Sequence, residues 1–137
     1  MIHLVDNSVW QRIAQPVVFE AMSALSRSGA LAATTPQMLE YGHSARNPRD
    51  FDILMQKLES FVLLIPDVNC HKQAMAVQHA LWHNARVRGA GAFDIQIAAI
   101  AIRHGVTVVH YEKNFQTIAS VVPEFSQHWI APRGSLK

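Results

Sequence analysis

Apolar residues fall along this chain in two patterns, short unbroken runs and longer stretches in which they recur every three or four positions. The clearest runs are Ile2–Val5, Phe61–Ile65 and Thr107–His110, with Leu31–Ala33 and Gln127–Ile130 as shorter strand candidates. Each is too short for a helix and is stopped by turn or charged residues, so each reads as a strand. Asp6-Asn7-Ser8 ends the first run and opens a helix, with Asn7 or Ser8 as cap. Pro16 suits the first turn of a second helix, from Val17 to Arg27, with Val17, Val18, Ala21 and Leu25 on one face and Gly29 ending it. Thr35 is expected to cap a third, through about Ala45, with Pro36 at its first position. Phe51, Leu54, Met55 and Leu58 mark an amphipathic helix within Asp50–Ser60, and Val68, Ala74, Val77 and Leu81 the inner face of a long one from Asp67 to about Val87. After a Gly89–Gly91 loop comes an almost wholly apolar helix ending at His104-Gly105, and a short one covers Phe115–Val121. Strands alternating with helices, and strands apolar throughout, call for a parallel sheet covered on both faces. There is no repeat, linker or low-complexity tract, and the tail from Ala131 is polar and expected to be loose.

At 137 residues, half of them hydrophobic and 16% charged, the chain suits one folded domain. No apolar run approaches the roughly 20 residues that span a bilayer, so no membrane association is expected. The start, MIHLVDNS, lacks the basic flank and cleavage site of a signal peptide. A single cysteine, Cys70, excludes an internal disulfide and suits a reducing cytoplasm. A formal charge of +2 is too small to indicate nucleic-acid binding by itself.

The placement of the acids changes the picture. Asp94 is the only charge between Arg88 and Arg103, where a helix enters the core, so it is either a helix cap or a ligand. Asp6 and Glu112 follow apolar strands, at the strand ends where open parallel sheets bind ligands. Glu40 lies one turn into its helix between Leu39 and Tyr41. Taken singly these are a cap, a turn residue, a helix-surface glutamate and a loop glutamate. Taken together they are carboxylates in apolar settings, which repel one another unless a cation neutralises them. Hard oxygen ligands without Cys or His point to Mg2+ or Mn2+, an ion able to activate water and to stabilise charge on a phosphate.

The order of these motifs resembles the PIN-domain ribonucleases, and within them the VapC toxins of type II toxin–antitoxin pairs. The anchors are Val5–Trp10 (VDNSVW), the glutamate within Met38–Arg46 (MLEYGHSAR), Phe93–Ala101 (FDIQIAAIA), Val108–Ala119 (VVHYEKNFQTIA) and the closing Trp129–Pro132 (WIAP). The resemblance implies a three-layer α/β/α sandwich with a central, mostly parallel sheet over residues 1–132, followed by a loose tail at 133–137. It implies a metal-dependent endoribonuclease, restrained by a VapB-type antitoxin. By position, Asp6, Glu40 and Asp94 match the first three acids of the family, and Ser8 a small hydroxyl residue that braces the site. The fourth motif departs: where the family has aspartate, a variable residue, aspartate and phenylalanine, this chain has Glu112, Lys113, Asn114 and Phe115. On this reading Asp6, Asp94 and Glu112 hold the metal, Glu40 ligates it or orients water, and Asn114 offers an uncharged oxygen.

Arg12, Arg46 and Arg88 are candidates for contact with RNA phosphates or an antitoxin, against solvated surface as the plain alternative. The apolar faces of Val17–Leu25 and Phe51–Leu58 suit a homodimer or an antitoxin helix, or simply core. Two other functions fit the pattern less well: a non-catalytic binding module, for which Glu112 and Asn114 speak, and a nuclease of the same fold acting on DNA. His79 and His83, four apart, lack the partners of a zinc site and read as an exposed helix face. Cys70 has no nucleophile context, and Gly89-Ala90-Gly91 lacks the lysine and hydroxyl of a phosphate loop. Trp10 and Trp82 read as packing residues.

Overall fold

The computed structural model describes residues 1–137. The elements run β1 (Ile2–Val5), α1 (Asn7–Trp10), α2 (Pro16–Ser28), β2 (Ala30–Thr34), α3 (Thr35–His43), α4 (Pro48–Leu58), β3 (Val62–Leu64), α5 (Val68–His83), α6 (Ala92–His104), β4 (Thr107–His110), α7 (Lys113–Val121) and β5 (Gln127–Trp129). The five strands form one sheet in the order β3-β2-β1-β4-β5, and every neighbouring pair is parallel. The chain builds outward from β1 to β2 and β3 on one side, then crosses back to add β4 and β5 on the other. The crossover opens a crevice beyond the carboxyl ends of β1 and β4, where ligands bind in open sheets of this kind.

Alternate residues of the central strands feed two cores. Leu4 and Val108 point into a cluster of 17 buried residues, with Val77 and Leu81 of α5, Ile97 and Ala101 of α6, and Phe115 and Ile118 of α7. Val5 and Val109 point the other way into 7 buried residues, with Val9 of α1 and Val18 and Met22 of α2. These are the three layers expected from strands that are apolar on both faces. Helix α6 is the deepest: Ile95, Ile97, Ala98, Ala99, Ile100 and Ala101 are all buried, which is why its sequence is apolar almost all round. It ends on Gly105 at φ 66°, a left-handed cap that a residue without Cβ adopts at little cost.

Several local expectations shift. Asp6, rather than Asn7 or Ser8, caps α1, its Oδ2 accepting from the Ser8 amide at 3.0 Å. Helix α3 begins one residue early, so Thr34 takes the cap position, but its hydroxyl donates to the Leu64 carbonyl at 2.7 Å and ties β2 to β3. The Phe61–Ile65 run is not a buried strand: only Val62–Leu64 pair, at the sheet edge, and Leu63 is 50% exposed because nothing lies beyond it. Val17 and Val68 face outward, at 56% and 66% exposure, since each lies in the first turn of its helix, beyond the reach of the sheet. Within the polar tail Leu136 is held, its amide donating to the Tyr111 hydroxyl at 2.8 Å and its side chain packing on the smaller core.

Candidate active site

The end of β1 places Asp6 beside the end of β4, to which its own amide is bonded through the Val109 carbonyl at 2.9 Å. Asp6 is 5% exposed. One carboxylate oxygen is taken by the helix cap, whereas Oδ1 is buried with no hydrogen-bond partner. Burial is the main cause that raises its carboxyl above the ordinary aspartate range, and the nearby Glu112 charge adds to it. Ser8 joins the same two strand ends: its Oγ accepts from the Tyr111 amide at 2.9 Å, bridging positions 103 apart in the chain.

Asp94 is not a cap. Gly91 holds the cap position of α6, and Asp94 sits in the first turn, where the helix dipole favours a negative charge. Its carboxyl is nonetheless raised from 3.8 to about 6, first by burial and then by the charges of Asp6, Glu112 and Glu40; only the Asn114 hydrogen bond pulls the other way. One aspartate therefore feels all three of the other acids, which come from the ends of β1 and β4 and from α3. Glu112 caps α7, its Oε1 accepting from the Asn114 amide at 3.2 Å. The Asn114 side chain donates from Nδ2 to Asp94 Oδ2 at 2.9 Å. Here asparagine serves as a donor to the neighbouring acid, where the sequence pattern offers only an oxygen. Glu40 is the most exposed of the four. Its carboxyl is raised by partial burial and by Asp6, which puts it on the rim of the same crevice.

Two supporting sets carried no clear sequence signal. Asn7 and Gln37 form a reciprocal buried pair: Asn7 Nδ2 donates to the Gln37 carbonyl and Gln37 Nε2 donates to Asn7 Oδ1, each at 3.0 Å. They clamp α1 to α3, and so Asp6 to the helix that carries Glu40. His110, wholly buried between the rings of Phe115 and Trp129, accepts the Glu112 amide at Nδ1 (3.0 Å). Its proton therefore sits on Nε2, which donates to Gln127 Oε1 at 2.6 Å. Burial holds this ring neutral, with its pKa lowered to about 4. A histidine closing an apolar strand just before Glu112 was the one hint available, and it has no meaning until β5 is placed.

The arginines separate. Arg12 is half-buried, donating to the Ser8 carbonyl at 2.8 Å and lying 4.8 Å over the Tyr111 ring, so it braces the strand ends. Arg46 is solvated and pairs with Asp50 at 3.7 Å. Arg88 lines a polar pocket that also touches Asn114. His79 and His83 stack at 4.0 Å on an exposed face of α5, as expected of a plain helix surface. Trp10 packs on Tyr41 and Phe61, whereas Trp82 is 53% exposed.

The donor set suits a hard divalent cation. The carboxylates do not form a ready ligand cluster of three in their present rotamers. They do present a buried, unpartnered aspartate oxygen beside acids that crowd one another, and a cation relieves both costs. No helix is long and apolar enough to cross a membrane.

No family profile matches the chain. Among curated proteins, ribonuclease VapC51 of Mycobacterium tuberculosis (strain ATCC 25618 / H37Rv) is 37% identical over 134 residues, covering 98% of this chain and 96% of the relative. Ribonuclease VapC18 of the same strain is 30% identical over 138 residues, covering 99% and 100%. Among solved structures, the VapBC2 complex of Rickettsia felis bound to a promoter DNA fragment aligns with TM-score 0.77 at 12% identity over 94% of this chain and 98% of that one. VapBC-1 of nontypeable Haemophilus influenzae aligns with TM-score 0.77 at 15% identity over 95% and 98%. At that identity the structures speak for the fold. The curated relatives, alike from end to end, show that this chain belongs to the VapC ribonuclease family.

Proposed function

We propose that this chain is the toxin of a type II toxin–antitoxin pair, an endoribonuclease that hydrolyses RNA phosphodiester bonds with a divalent cation, Mg2+ or Mn2+, and is restrained by a VapB-type antitoxin. The observation that carries it is the Asp94 carboxylate lying in the field of Asp6, Glu40 and Glu112, next to an Asp6 oxygen that is buried and unpartnered. Asp6, Asp94 and Glu112 would hold the ion. When bound, it lowers the pKa of a water and stabilises the charge that develops on the phosphate. Glu40, on the rim with a raised affinity for a proton, orients the attacking water and takes up its proton. Asn114 fixes the Asp94 carboxylate, and His110 fixes the Glu112 backbone. Ser8 and Arg12 hold the strand ends so that Asp6 and Glu112 keep their spacing.

The relatives are named ribonucleases, and VapBC complexes share the fold, which supports both the reaction and the partner. Apolar side chains left uncovered on α2 and on α3–α4, among them Phe19 at 60% and Leu39 at 70% exposure, supply surface for an antitoxin helix or a second copy of the chain. A cytoplasmic setting fits the lone, buried, unpaired Cys70.

The test is incubation of the purified chain with matched single-stranded RNA and DNA, with Mg2+, with Mn2+ and with excess chelator. RNA cleavage that needs the cation is the expected result, and DNA cleavage in its place would transfer the activity to the other polymer. Failure to bind either cation would favour a binding module over an enzyme.

The departure at Asn114 gives a second prediction. Asn114→Asp removes the donor to Asp94 and adds a like charge beside it. The metal-free variant is expected to melt lower than the parent, while its Mg2+ affinity rises on the order of tenfold through the added ligand charge. Calorimetric titration and a melting curve in chelator read the two effects, and unchanged values in both would show that position 114 does not face the ion.

A further inference from the structure

Beside the acids lies a pocket of opposite character. It has a volume of about 490 Å3 and is formed by the loop between α5 and α6, one face of α7 and the start of the tail. Arg86, Arg88, Lys113 and Arg133 all line it, and no acid does. The chain's single ion pair is Arg46–Asp50, so none of these four cations is neutralised by a carboxylate. One third of the chain's 12 lysines and arginines thus meet, unpaired, around one hollow. A hollow lined by one sign of charge draws an anionic ligand.

The loop is built to hold them there. Ala85 and Arg88 both have left-handed backbones, at φ 59° and 58°, a conformation that residues with a Cβ rarely adopt. Such strain persists where the surroundings over-determine it, often at ligand sites. Gly89 leaves no room for a side chain: a Cβ there would stand 2.8 Å from the Arg86 carbonyl oxygen and 2.8 Å from Thr117 Cγ2. The loop is therefore pressed against α7, which holds Lys113 and Asn114 at the edge of the pocket. The pocket also meets the acidic crevice at one residue. Asn114 lines the pocket and donates to Asp94.

We propose that this pocket holds a backbone phosphate of the RNA strand, next to the one being cut. The inference rests on the nuclease reading above. A strand whose scissile phosphate sits at the acids passes over Asn114 and sets a neighbouring phosphate among the four cations. The lining is polar and cationic, without aromatic side chains, so the contact positions the strand without reading bases.

The test measures binding apart from cleavage. A labelled single-stranded oligouridylate is titrated, in chelator and over a series of salt concentrations, with the full chain carrying Asp94→Asn. Adding Arg86→Gln with Arg133→Gln is expected to weaken binding roughly tenfold and to lower the slope of log affinity against log salt by about 0.7, the loss of one single-strand phosphate contact. Arg86→Lys with Arg133→Lys is expected to keep the slope, and Arg27→Gln with Arg49→Gln, outside the pocket, to change nothing. Melting temperatures equal to the parent's verify that the exposed pair was not needed for folding. Unchanged affinity and slope would overturn the proposal, as would loss of binding to a polyglutamate peptide without loss of binding to RNA. If the slopes shift as expected but the unmutated chain cuts no RNA, the nuclease reading fails and the phosphate site stands. If it cuts RNA and the slopes ignore the pair, the reverse holds.

Discussion

Asp94→Asn is expected to cut RNA cleavage by on the order of 100- to 1000-fold and, in metal-free buffer at pH 7, to make the protein more stable. The two effects share one cause. Asp94 must surrender its proton to serve the ion, yet its carboxyl is raised from 3.8 to about 6 by burial and by Asp6, Glu112 and Glu40. Between those values the native state keeps a proton that the unfolded chain has lost. Stability from this group is fully present below about pH 4 and is lost as pH rises through about 6. A shift of that size is worth about 2–3 kcal/mol, or about 1–2 kcal/mol after allowing for the partial exposure of the side chain. Asparagine keeps an oxygen for the Asn114 donor and carries no charge, so it avoids the loss. The gain in melting temperature should be visible at pH 7 and absent at pH 4. Mg2+ should stabilise the parent and leave the variant where it was, since only the parent binds the ion appreciably. Asp6→Asn is expected to behave alike in cleavage. Full turnover in both variants would remove these acids from the mechanism, and a variant less stable at pH 7 would show that the crowding is not a cost.

Phe115→Ala is expected to lower unfolding stability by about 3–5 kcal/mol, a large share of the roughly 5–15 kcal/mol that a domain possesses. Phe115 is fully buried, with ring centroids 5.0 Å from His110 and 6.1 Å from Phe125. Truncation removes its contacts and leaves a cavity that α7 and β5 close only in part. The same ring supports the segment that carries Glu112 and Asn114, so activity of the remaining folded protein should fall as well. Urea unfolding reads the first effect as a lower midpoint at unchanged slope. Phe19→Ala, at 60% exposure on α2, is the control and should stay within about 0.5 kcal/mol of the parent. A change below about 1 kcal/mol for Phe115→Ala would mean that the core beneath the site is looser than its burial implies.

Much of this protein is legible from residue order alone. Runs such as Ile2–Val5 and Thr107–His110, whose apolar residues are consecutive rather than alternating, dictate a sheet covered on both faces, and the 17- and 7-residue cores on its two sides are the physical consequence. Asp6 and Glu112 could be placed at strand ends because an apolar run that gives way to an acid has come to the end of its strand. Asp94 was conspicuous because a charge entering an apolar helix needs a reason. Periodicity was less reliable at helix starts: Val17 and Val68 fit the apolar stripe by spacing, yet the first turn projects past the sheet and leaves them in water.

The remainder was decided by the tertiary structure, because it depends on which distant residue stands opposite. Strand order alone sets β4 beside β1 and brings Glu112 to Asp6. The Ser8–Tyr111 bond spans 103 positions, the Asn7–Gln37 clamp 30, and the Asn114–Asp94 bond 20. Edge position left Val62 and Leu63 exposed while Leu64 reached the core, and the folding of loop, helix and tail against one another assembled Arg86, Arg88, Lys113 and Arg133. A hydrophobic pattern records whether a position leaves water. It carries no record of the partner it meets there, and both the charge on an acid and the role of an asparagine are set by that partner.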